Sequence, residues 1–91
     1  MRIRRVDKNQ KQVVAAIRSV GGEVTHIHTI GKGVADLLVS FRQRWLVLEV
    51  KMGAKALLTP DEKVWIAKQR APVFVVRSPL EAIEILNMTN P

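Results

Sequence analysis

The segment KGVADLLVSFRQRWLVLEVKMG, residues 32–53, sets Asp36, Glu49 and Lys51 inside runs that are otherwise apolar and rich in β-branched residues. ADLLVSF and RWLVLEVK read as two strands, and the polar RQR between them reads as the turn of a hairpin. Side chains alternate across a strand, so Glu49 and Lys51 project from one face of the second strand while Leu48 and Val50 project from the other. Pairing about RQR then carries Asp36 toward the end of the hairpin that holds Glu49 and Lys51.

Ionised groups in partly buried strands are costly unless they are paired or bound to a cation. The plain alternative is a charge-balanced rim of exposed ion pairs, each contributing little. The apolar context favours a cluster with a chemical role. Two carboxylates and a backbone carbonyl oxygen suit a hard cation such as Mg²⁺ or Mn²⁺, whose shell water and a phosphate oxygen would complete. An adjacent lysine would orient that water or offset charge growing on the phosphate. This is the equipment of phosphodiester hydrolysis, and Asp36, Glu49 and Lys51 are its candidate residues.

Outward from this segment, residues 7–20 carry Val13, Ile17 and Val20 at helical spacing, with Asp7 at the expected N-cap and Gly21-Gly22 as the stop. EVTHIHTI, residues 23–30, reads as the first strand, and GKG as a turn. TPDE, residues 59–62, predicts a helix over 60–69 in which Thr59 caps, Pro60 opens the first turn and Glu62 reaches back to the cap amide. APVFVVR is a continuous apolar run of the kind buried on both faces in parallel pairing, and SPLE at 78–81 opens a last helix. The order α-β-β-β-α-β-α predicts one α/β domain over residues 1–91, a mixed central sheet flanked by helices, with a basic arm at 1–6 and a tail at 87–91.

The net charge of +7 favours a polyanionic partner, with nucleic acid first in order. Arg2, Arg4 and Arg5 of the arm, Lys32 in the glycine turn and Lys55 after the third strand are the candidate contacts. The chain has no cysteine, which excludes disulfides and thiolate zinc sites, and its two histidines cannot complete a zinc shell alone. His26 and His28 are expected to be hydrogen-bonded structural residues, and Trp45 and Trp65 to belong to the core or an interface rather than to stack on bases. No apolar run is long enough to span a membrane and the N-terminal residues lack a signal core, so a cytoplasmic protein is expected.

Asp36, followed on the next strand by Glu49-Val50-Lys51, resembles the D…ExK core of the PD-(D/E)XK nuclease superfamily. NQ at 9–10, GKGVADLLV at 31–39, LVLEVKMG at 46–53 and LTPDE at 58–62 resemble the small stand-alone phage-type VRR-Nuc domains, over nearly the whole chain. The resemblance implies a restriction-endonuclease-like α-β-β-β-α-β core and a Mg²⁺- or Mn²⁺-dependent DNA endonuclease. It further implies a homodimer, selective for Holliday junctions or other branched DNA, in a phage-infected or bacterial cell. Asp36, Glu49 and the Val50 carbonyl would hold the metal, Lys51 would be the catalytic lysine, and Gly33, Gln10 and Glu62 would support the site from around it. The chain departs from the pattern at Ala35, where a proline is usual, and at Glu62, where a glutamine is common. On the first helix, where many relatives have an acid, Gln10 and Asp7 stand nearest. A non-catalytic nucleic-acid-binding domain on the same fold is the alternative.

Overall fold

The computed structural model describes residues 8–88. The expected cap Asp7 and the arginines Arg2, Arg4 and Arg5 lie outside the described residues. Helix α1 (Lys8–Ser19) buries Val13, Val14 and Ile17 on one stripe. It stops at Gly21, whose φ of 97° is the left-handed conformation a glycine adopts without strain. The Gly22 amide donates to the Ile17 carbonyl at 3.0 Å and the Gly21 amide to Arg18 at 3.1 Å, which closes the helix end.

Strand β1 (Glu23–His26) is shorter than the expected run to residue 30. Its last residue pairs with the first residue of strand β2 (Leu37–Phe41), and the next amide, of Ile27, donates to the Asp36 carbonyl. Beyond that no strand remains to pair with, so the chain turns into a 3-10 helix over His28–Ile30. Strand β3 (Arg44–Val50) pairs antiparallel with β2 in the register Leu37↔Leu48. Strand β4 (Val73–Val76) runs parallel to β3, and the sheet order is β1-β2-β3-β4. β4 therefore lies at an edge and is only half-buried at three of its four positions, where its apolar run suggested burial on both faces.

The β2–β3 hairpin turns on Arg42 and Gln43, both with positive φ, 50° and 65°. A two-residue loop needs this geometry to match strand twist, and side chains other than Gly, Asn and Asp adopt it at a cost. Gln43→Gly should therefore raise stability by about 1 kcal/mol, read as a higher denaturant midpoint at unchanged slope. A lower midpoint would show that the Gln43 side chain contributes more than its backbone costs.

Leu37, Val39, Phe41, Leu46, Leu48 and Val50 fill one sheet face, and α1 packs there with helix α3 (Pro79–Met88), which adds Ala82 and Leu86. α3 extends into the segment expected to be a tail. Its first turn is capped by the Ser78 hydroxyl, while Glu81 accepts from the Arg77 amide rather than from the cap residue. Helix α2 (Pro60–Lys68) accompanies the opposite face, where Glu49 and Lys51 project. Among the described residues no helix is long and apolar enough to cross a membrane. The molecule is thus a small α/β domain with a four-stranded mixed sheet and three α-helices.

Candidate functional site

Asp36 immediately precedes β2, Glu49 lies at the end of β3 and Lys51 immediately follows it, so the hairpin register brings the three to one end of the sheet. Asp36 Oδ2 accepts from the Val50 amide at 2.8 Å. The N–H and C=O of one residue in an extended strand point to the same side, which directs the Val50 carbonyl toward the Asp36 strand. Lys51 Nζ lies 3.7 Å from Glu49 Oε2 and 2.6 Å from Glu62 Oε1.

Glu62 reaches this cluster because of how α2 begins. Thr59 and Glu62 form the expected capping box: the Glu62 amide donates to Thr59 Oγ1 at 3.2 Å, and Glu62 Oε1 accepts from the Thr59 amide at 2.8 Å. One carboxylate oxygen therefore both closes the start of the helix and holds the lysine. Gly33 makes this approach possible. With φ 84°, it sits so close to α2 that an added Cβ would fall on the Asp61 carbonyl and 2.8 Å from the Glu62 amide. Gly33→Ala should cost about 1–3 kcal/mol for the backbone conformation alone, and more for the clash. Chemical denaturation would show it, and a midpoint equal to wild type would mean that the turn and helix separate freely.

Two further side chains fix the site from behind. Asn9 of α1 donates through Nδ2 to the Lys51 carbonyl at 2.7 Å and to the Arg77 carbonyl at 3.4 Å, tying together the ends of β3 and β4. Arg77 Nη1 donates to the Ala56 carbonyl at 2.6 Å and to that of Gly53 at 2.9 Å, fastening the loop that follows Lys51. The sequence reading gave neither residue a role. Asn9 lay inside the NQ pair, but nothing local marks a contact across 42 residues. Gln10, the neighbouring candidate, is a buried residue of α1.

The electrostatics follow from burial. Glu49 is only 2% exposed. That burial, together with the charges of Asp36 and Glu62 and hydrogen bonds to both, pushes its carboxyl up to about 9, so it carries a proton at neutral pH. Burial pulls the Lys51 ammonium down, but the hydrogen bond to Glu62 and the charges of Glu62, Glu49 and Asp36 outweigh it and hold the group above its ordinary value. Burial pushes Glu62 up, and the Lys51 hydrogen bond, the Thr59 amide, Glu49 and the Lys51 charge bring it below the usual carboxylate range. Lys51 is thus a fixed cation and Glu49 a proton-holding acid.

Glu49 Oε1 is buried with no hydrogen-bond partner among the described residues. A buried acceptor left this way is costly, and a cation or donor brought to it recovers the loss. Among the described residues no set of three or more His, Asp or Glu side chains is arranged as a metal-binding group. Glu62 is engaged by Lys51, which leaves Asp36, Glu49 and the Val50 carbonyl as an all-oxygen donor set. That set fits a hard divalent cation with water completing the shell.

Lys32 and Lys55 are exposed on loops. His26 is exposed and His28 half-buried, with their rings edge to face at 5.8 Å, and His28 Nδ1 is buried without a hydrogen-bond partner, contrary to the satisfied pair expected. The shortened β1 explains this, since His28 sits in the 3-10 turn rather than on a strand face. Trp45 is 71% exposed and not a core residue, because no helix covers its end of the sheet face. In comparisons with known proteins, no family model, curated protein or solved structure matches the chain.

Proposed function

We propose that the chain is a Mg²⁺- or Mn²⁺-dependent DNA endonuclease hydrolysing phosphodiester bonds on a restriction-endonuclease-like core, as its resemblance to VRR-Nuc domains implies. One observation carries the reading: Asp36, the buried Glu49 with its unpartnered oxygen, and a lysine fixed as a cation converge at one end of a hairpin. The chemistry such a cation supplies when bound is polarisation of the phosphate and acidification of water. Asp36, oriented by the Val50 amide, and Glu49, once it gives up its proton, hold the charge that binds it. Lys51 presents its ammonium to the negative charge that grows on the phosphate. Held above its ordinary range, Lys51 acts as a cation and not as the base that takes the water's proton. Asn9 keeps Lys51 in register by holding its backbone.

We take the working unit to be a homodimer, whose two sites would address the two strands of a duplex or branched junction. The test is cleavage of labelled four-way junction, flap, duplex and single-stranded DNA with Mg²⁺, Mn²⁺ or EDTA. Cutting that requires metal supports the reading, with junction preference marking a resolvase-like enzyme. A second reading, a non-catalytic nucleic-acid-binding domain, is favoured by one observation, the lack of a third acid free to bind metal among the described residues. It predicts salt-sensitive binding without cleavage, and calorimetry with Mn²⁺ separates the two: a site lost in Glu49→Ala excludes it.

A further inference from the structure

Trp45 sits on the same face of β3 as Glu49, four residues away, or about 13 Å along the strand. An indole left 71% exposed on a sheet face offers a partner a broad, flat stacking surface. Trp45 lines a cleft of about 280 Å³, and a second of about 190 Å³ adjoins that cleft through the shared Val47, Ala71 and Pro72. The first is bordered by Arg44 and the second by Arg70 and Trp65, and no Asp or Glu is among the described residues that line either.

Arg44 is engaged, its Nη2 donating to the Leu86 carbonyl at 3.2 Å, and Glu23, two strands across on the same face, lies 3.7 Å from Arg18, which leaves Arg70 as the cation open to a ligand. An exposed aromatic with such a cation nearby and no acid lining the clefts matches a chain that has stacking faces joined by phosphates. We infer that the Trp45 face of the sheet is a docking surface for single-stranded nucleic acid, with a base stacked on the Trp45 indole and phosphates alongside Arg70. A second copy of the chain fits it less well. Face-to-face pairing would bring the Arg70 clefts of two proteins of net charge +7 against each other with no acid lining them, and Glu23 on the same face is already paired with Arg18. The surface stands whether or not the carboxylate site cuts, so it is tested with EDTA present.

The measurement is anisotropy of a labelled oligodeoxythymidylate of about twelve nucleotides, and of a blunt duplex, titrated with the whole chain at one fixed salt concentration. Trp45→Ala should weaken single-strand binding on the order of ten- to a hundredfold while leaving duplex binding and the melting temperature as in wild type. Trp45→Phe should restore most of the affinity, because a phenyl ring still stacks. Arg70→Ala should weaken single-strand binding and flatten its salt dependence. Equal single-strand binding by Trp45→Ala and wild type would overturn the proposal, as would a parallel loss on duplex. So would sedimentation showing a wild-type dimer that Trp45→Ala converts to monomer, since the face would then belong to a second copy.

Discussion

On the proposed nuclease reading, Lys51→Ala should leave a folded protein and lower metal-dependent DNA cleavage at saturating DNA on the order of a hundred- to a thousandfold. The magnitude is that of removing one pre-placed charge from a site where negative charge develops. The fixed position comes from both ends of the residue, Nζ on Glu62 at 2.6 Å and the carbonyl on Asn9 at 2.7 Å, so a mobile lysine elsewhere cannot take its place. Folding is expected to survive because Glu62 keeps its bond from the Thr59 amide and, without metal, Glu49 is neutral at pH 7. Asp36→Asn is the sharper companion. The amide oxygen can still accept from the Val50 N–H, so geometry is kept while the charge is removed. Rates equal to wild type in either variant, with circular dichroism unchanged, would reject the nuclease assignment.

The second large effect is on metal affinity. Glu49 must lose its proton to bind a cation, and its carboxyl is pushed up to about 9, so Mn²⁺ affinity should rise about tenfold per pH unit between pH 6 and 8, close to a hundredfold across the window. Calorimetry in buffers of different ionisation enthalpy would show about one proton released per metal bound. Glu49→Gln should abolish both the slope and the proton release. Without metal the same group acts in the opposite direction. Its folded value lies above the ordinary 4.5, so its contribution to stability is complete below that pH and is lost as the pH climbs toward 9. Glu62, lowered, matters only on the acid side, and Lys51, raised, only above its ordinary value, so neither titrates in this window. The metal-free melting temperature should therefore fall from pH 6 to pH 9 in wild type and stay level in Glu49→Gln. A flat wild-type curve would mean that Glu49 is ionised throughout.

The hairpin was legible because period-two alternation and a polar turn act within a few residues, and that placed Asp36, Glu49 and Lys51 together in advance. The capping box at Thr59 and Glu62 was equally plain. Its second duty was implied only by the resemblance, since the bond Lys51 donates to Glu62 depends on how α2 lies against the sheet, which no local pattern records. Asn9 and Arg77 were missed for the same reason. β1 was read too long because β-branched residues continue through Ile30, while the strand it would have to pair with starts only at Leu37. Trp45 was expected in the core or an interface, and alternation tells which residues share a face and not whether that face is covered.

The positions of the clamps along the chain have a consequence for synthesis. The hairpin that carries Asp36 and Glu49 is local and can pair early, whereas Glu62, Arg77 and the α3 partner of α1 emerge from the ribosome later. Asn9 is made first yet finds the Arg77 carbonyl, 68 residues on, only when β4 has been added. A nascent chain halted after β3 holds the charged side chains without their fixed arrangement. Whatever chemistry the cluster performs is thus withheld until the fold is nearly complete, with no need of a propeptide or an inhibitor to delay it.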